Sequence, residues 1–194
     1  MGYTTEFDGS IKFNKPVTEE LKDYINRFSS TRRMKRDNDK IKELYPNWKD
    51  LCFNGELGLY GEYLAIEDRF DDKSIIDYNS SCPQPGLWCQ WIINDDNELV
   101  WDDGEKFYDY VEWLEYLISH FFRPSGYILN GVIESQGEDT SDFGRIVVTD
   151  NEVTLKGGEV IYGMDAFADD ELIEELEKRG YMITEREEKK CLPA

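Results

Sequence analysis

Histidine is nearly missing from this chain: there is one, His120, in 194 residues. A structural zinc site built on imidazoles is therefore disfavoured. Any Ser-His-Asp or Cys-His arrangement would have to use His120 itself. Its neighbours at helical spacing are Trp113, Tyr116 and Leu117, so a packed or surface side chain is expected there rather than a general base. Cysteine is sparse too. Cys52, Cys82, Cys89 and Cys191 show no CxxC spacing and no signal peptide leads the chain, which points to a reduced, cytosolic protein with free thiols. No apolar run approaches the roughly 18 residues that span a bilayer, so no membrane partner is expected.

Positive charge is also short. Twenty-two basic residues stand against forty-two acidic ones, a formal net charge of −20. Such a surface repels nucleic acid and anionic membranes and attracts cations and basic proteins. No direct contact with nucleic acid is expected. The phosphate-cradling loops GxxxxGK[ST] and GxGxxG are absent, as are the GxSxG elbow and HExxH. Asp95, Asp96, Asn97, Asp102 and Asp103 crowd one turn but miss the spacing of a calcium loop. No metal, no cofactor and no catalytic residue is assigned.

Aromatic and turn residues, by contrast, are plentiful. The stretch from Gln84 to Phe122 holds four of the five tryptophans. Leu87–Ile93 and Glu98–Trp101 read as a hairpin turning through Asn94–Asn97. Asp102-Asp103-Gly104 then opens a helix with an apolar stripe at 107, 110, 111, 114, 117, 118 and 121, stopped by Pro124. Trp88, Trp91, Trp101 and Trp113 read as core rather than as a sugar platform. Upstream, Tyr3–Phe7 and Ser10–Phe13 read as a hairpin around Asp8-Gly9. Pro16-Val17-Thr18 starts a helix whose stripe is Leu21, Tyr24, Ile25 and Phe28.

The run Ser29–Arg36 is the one concentrated basic patch. It reads either as a solvated segment neutralising nearby carboxylates or as an anion pocket. Trp48–Ile66, broken by Gly55, Gly58 and Gly61, suggests short strands or a tight surface excursion, and Ser74–Asn79 a short strand. Tyr127–Gln136 reads as a long strand, with Gly131 as a bulge or close-approach point. Arg145–Thr149 and Glu152–Lys156 form a hairpin through Asp150-Asn151. Val160–Tyr162 reads as a strand, Asp169–Arg179 as an amphipathic helix and Tyr181–Thr184 as an edge strand. Between Asp165 and Glu188 acidic residues outnumber basic ones ten to three. The expected fold class is α+β: an antiparallel or mixed sheet with two main helices packed on it and an acidic C-terminal helix. A core domain is expected at residues 1–156 and an acidic extension at 157–194.

The strings MGYTTEF, TRRMKRD, QPGLWCQW, EKFYDYVEWLEYLI and GYILNGVI together resemble a group of small uncharacterised bacterial and phage proteins, over roughly residues 1 to 155. The acidic C-terminal part and Trp48–Ile66 depart from that pattern. The resemblance carries over no site residue; it implies a bacterial or viral protein and, for a phage source, an inhibitor of a host system by analogy.

Two functional readings follow, from different classes. The first is a non-enzymatic interaction protein that occupies a basic, nucleic-acid-binding surface of a partner protein. Its contact residues would be Glu138, Asp139 and Asp142 with Asp169, Asp170, Glu171, Glu174, Glu175 and Glu177, since helix carboxylates three or four residues apart sit about 5–6 Å from each other, near the spacing of successive phosphates. The second is a pocket for a small anionic ligand such as a nucleotide, enzymatic or not. There Arg32 and Arg33 would hold the anion against Tyr78, Trp88, Gln90 and Trp91, with Glu105 and Lys106 at the helix start.

Overall fold

The computed structural model describes residues 2–66, 72–158 and Lys178. The chain divides into two compact units, Met1–Gly158 and Glu159–Ala194. The expected strand at Val160–Tyr162, the helix at Asp169–Arg179 and the edge strand at Tyr181–Thr184 lie outside the described residues.

The first unit is an α+β fold around a six-stranded antiparallel sheet in the order β4-β5-β1-β6-β7-β8. Two locally paired pieces flank the N-terminal strand. On one side stand β4 (Trp91–Ile93) and β5 (Glu98–Trp101); on the other runs the meander β6 (Leu129–Gly137), β7 (Phe143–Thr149) and β8 (Glu152–Gly157). The β7–β8 turn has both central residues left-handed, Asp150 at φ 49° and Asn151 at φ 70°, the conformation that Asp and Asn tolerate in a two-residue hairpin.

Between these pieces lies β1 (Thr5–Phe13), and here the expected Asp8-Gly9 hairpin is corrected. Nine consecutive residues pair with β6, from Thr5 opposite Gly137 to Phe13 opposite Leu129, so the chain runs straight through Gly9. Phe7, Ile11 and Phe13 keep one parity across that glycine, as a single strand requires. Gly9 allows close approach: its φ is +113°, and a Cβ there would lie 2.5 Å from the Val132 carbonyl oxygen. Gly131, opposite Ile11, plays the reciprocal part on β6, with no bulge in the register.

One face of the sheet carries Phe7, Ile11, Trp91, Ile93, Leu99, Leu129, Ile133, Ile146 and Val148, all buried. Two helices cover it. In α1 (Glu19–Ser29), capped by the Thr18 hydroxyl accepting from Leu21 N, the residues Leu21, Tyr24, Ile25 and Phe28 turn inward. The second helix, α3 (Tyr110–Leu117), continues into a π-helical turn, Ile118–Phe122. It starts later than its stripe suggested, because Asp103, Lys106 and Asp109 are left-handed and keep 102–109 irregular while Phe107 packs inside. The wider π turn lets the consecutive Phe121 and Phe122 both be buried. Edge-to-face ring pairs tie helix to sheet, Phe7 with Tyr110 at 4.8 Å and Phe13 with Phe122 at 5.0 Å, while Phe28 with Phe121 at 5.1 Å joins the two helices.

Beside this core a smaller cluster, Ile41, Cys52, Leu57, Leu64 and Ile66, is closed by α2 (Asn38–Leu44) and three short 3-10 turns between Trp48 and Gly61. The stretch is thus a tight excursion. Nearby, β2 (Lys35–Arg36) pairs with β3 (Ile75–Asp77) as a separate ribbon. No helix among the described residues is long and apolar enough to cross a membrane.

Candidate functional site

The basic run separates by burial. Arg33 and Arg36, each 2% exposed, lie inside, which corrects both the solvated reading and the pocket reading for them. The Arg33 backbone N–H bonds to the Leu87 carbonyl, anchoring the run to the chain that leads into β4. Its guanidinium lies 4.1 Å from the Phe28 ring centre, and it donates to the Thr31 carbonyl at 2.9 Å and the Leu64 carbonyl at 3.2 Å. Burial lowers this guanidinium to about 10. Arg36 forms an ion pair with Asp72, the two side chains being 3% and 1% exposed, and also donates to the Ser74 hydroxyl. Burial alone would raise the Asp72 carboxyl. Bonds from Ser74 and Tyr45 and the Arg36 charge outweigh it, so the carboxyl sits below the usual aspartate range. These arginines hold the 3-10 excursion and the β2–β3 ribbon in place.

The other residues of the ligand reading fall into separate groups of contacts. The Arg32 guanidinium stacks 4.2 Å from the Tyr78 ring and 5.8 Å from the Trp88 ring, and Trp88 is 41% exposed. Trp91 is fully buried and donates its Nε1–H to the Tyr110 carbonyl at 2.8 Å, which removes it from contact with any ligand. Gln90 bridges Trp101 Nε1–H and the Glu105 carbonyl at 3.0 Å each, and Lys106 lies 4.0 Å from the Glu105 carboxylate. Arg32, Tyr78 and Trp88 come together; Arg33 and Trp91 are withdrawn into the core.

The acidic set splits as well. Asp169, Asp170, Glu171, Glu174, Glu175 and Glu177 lie outside the described residues. Glu138, Asp139 and Asp142 sit in the exposed β6–β7 turn, where all three serve the fold. Glu138 accepts from Thr4 N–H at 2.9 Å and Asp142 from the Tyr3 hydroxyl at 2.6 Å, fastening the N-terminal segment. Asp139 accepts from the Ser141 backbone N–H and hydroxyl, which lower its carboxyl.

Another acidic site was not singled out by the sequence reading. A groove of about 580 Å³ runs between α3 and β8 and is lined by Asp109, Glu112, Glu115 and Glu152, with Pro83, Pro85, Ile118 and Val153 among its apolar walls. Asp109, Glu112 and Glu115 recur every third residue, so they share one face of the helix end and α3. Among the described residues these three carboxylates have no hydrogen-bond or ion-pair partner. The guanidinium in the groove, Arg123, is already joined to Glu152 at 2.8 Å and to the Asn151 carbonyl. The signal was the three-residue spacing, hidden among forty-two acids.

His120 stacks 4.0 Å from the Tyr116 ring, with Nδ1 held by the Tyr116 carbonyl and the Ser119 hydroxyl. Cys52, Cys82 and Cys89 are free thiols, and burial pushes Cys52 and Cys89 up to about 12, away from the thiolate form. Among the described residues no group of three or more His, Cys, Asp and Glu side chains could hold a metal ion. No protein-family model, curated protein or solved structure matches the chain.

Proposed function

We propose that this is a non-enzymatic acidic interaction protein, which takes up a basic surface of a partner protein of the kind that otherwise binds nucleic acid. The setting of this reading is the cytoplasm of a bacterium or an infected cell. The observation that carries it is the contrast between two sets of carboxylates. Those of the β6–β7 turn are engaged in fixing the fold, whereas Asp109, Glu112 and Glu115 stand side by side along an open groove without partners among the described residues. Like charges aligned on a helix face cost about 0.2–0.5 kcal/mol per pair, a cost that a docked cation removes. Their spacing of about 5–6 Å suits a row of Lys or Arg side chains, while Pro83, Pro85 and Val153 offer apolar walls for the side-chain stems.

The test is a titration of the full chain against a fluorescent Arg/Lys-rich peptide at rising salt, with duplex DNA as competitor. The reading expects affinity to fall steeply with ionic strength and DNA to displace the protein from the peptide. An affinity that does not change between low and high salt would sink it.

A further inference from the structure

A second concavity reverses the sign of the chain. Between α1 and the 3-10 turns at Trp48–Leu51 and Phe53–Gly55 lies a cleft of about 530 Å³. Three cations line it, Lys15, Arg27 and Lys49, against two carboxylates, Glu20 and Asp50, in a protein of net charge −20. The cations arrive from three places: the segment before α1, the helix itself, and the first 3-10 turn. Tyr24, Phe53 and Tyr127 give it aromatic walls. Tyr24 and Arg27, three residues apart, share the helix face that looks into it.

The donors are poised rather than saturated. Lys15 Nζ lies 4.5 Å from the Tyr127 ring centre and 3.4 Å from the Ser125 carbonyl, so its stem is laid along the wall. Among the described residues Arg27 makes one long bond, from a terminal nitrogen to the Asp50 carbonyl at 3.5 Å. A guanidinium whose terminal nitrogens are so lightly engaged keeps donors for an incoming acceptor. The volume falls within the range of about 300–1,000 Å³ common for small-molecule sites.

We propose that this cleft binds a small organic anion, its flat ring against the half-buried Phe53 and its carboxylate or phosphate oxygens held by Lys15, Arg27 and Lys49. The proposal is independent of the α3 groove. It also differs from the Arg32/Arg33 pocket of the sequence reading, because Arg33 is buried on Phe28 and so cannot reach an open cavity.

The experiment is isothermal titration of the full chain with phenyl phosphate, benzoate, inorganic phosphate and phenol, repeated on Lys15→Ala/Lys49→Ala. Both lysines are exposed, and an unchanged Tm without ligand verifies that the variant folds. The proposal expects one or both aromatic anions to bind, with phenol and inorganic phosphate weaker, and the stronger aromatic anion identifies the preferred oxyanion. The double variant should lose about tenfold or more in affinity, as for a charged hydrogen bond. Binding unchanged in the variant, inorganic phosphate as tight as phenyl phosphate, or no binding of either aromatic anion would each overturn it. Asp109→Asn/Glu112→Gln/Glu115→Gln should leave this binding intact, so failure here and failure of the groove reading are read separately.

Discussion

Within Ser29–Arg36 the cations Arg33 and Arg36 are withdrawn from water, one laid on a ring and bonded to carbonyls, the other paired with Asp72. Along α3 the carboxylates Asp109, Glu112 and Glu115 are left in an open groove with no partner among the described residues. Both are concentrated charge in one stretch of sequence, yet one group stabilises the body and the other only faces outward. The difference bears on the net charge of −20. Among the described residues Arg33 and Arg36 are withdrawn together with the carboxylates of Asp72 and Glu62, so burial cancels in sign and leaves the acidic surplus on the exterior.

That contrast can be broken at several points. The largest effect is expected for Arg36→Met, which leaves a buried Asp72 without its counterion and should cost about 3–5 kcal/mol in urea unfolding. Adding Asp72→Leu should restore much of that loss, because replacing both partners removes the uncompensated charge; a double variant no better than Arg36→Met would break the assignment. Arg33→Met should cost less, about 1–3 kcal/mol, since it leaves only the Thr31 and Leu64 carbonyls short of a donor.

Acid probes the same pair. The folded-state carboxyl of Asp72 is lowered, so its contribution is fully present above the ordinary aspartate value and is lost as pH falls through the lowered one. The stability gap between wild type and Asp72→Asn should therefore narrow below about pH 4, measured by urea midpoints across an acid series. A gap that widens there would contradict the sign. The smallest effect on folding is expected in the groove. Asp109→Asn/Glu112→Gln/Glu115→Gln should shift stability by no more than about 0.5 kcal/mol, toward a gain if relieved repulsion dominates.

Much of the fold could be read locally. Thr18 and the Leu21, Tyr24, Ile25, Phe28 stripe mark α1, and the Asn- and Asp-rich turns mark the β4–β5 and β7–β8 hairpins because those pairings close over a few residues. The misreadings arise where distant chain decides. Asp8-Gly9 has turn chemistry, but the nine-residue partner β6 overrides it from more than a hundred residues away. The start of α3 depends on the left-handed Asp103, Lys106 and Asp109, which no apolar period reveals. Of the site residues, Arg32 does meet Tyr78 and Trp88. The burial of Arg33 was illegible because its environment is supplied by Phe28, Thr31 and Leu64 together, and the ion-pair partner of Arg36 lies thirty-six residues away. The groove needs Pro83 and Glu152 brought to α3, which tertiary packing alone provides.

The central claim concerns where a basic partner sits on this acidic body. The most direct measurement compares the affinity of the Arg/Lys-rich peptide for Asp109→Asn/Glu112→Gln/Glu115→Gln with that for Asp8→Asn/Glu43→Gln/Asp96→Asn, three exposed carboxylates off the groove, so that both variants lose three negative charges. The account predicts a loss of about tenfold or more for the groove variant and little change for the other. Equal losses in the two would mean that peptide binding follows net charge alone, and the groove would have no special part in it.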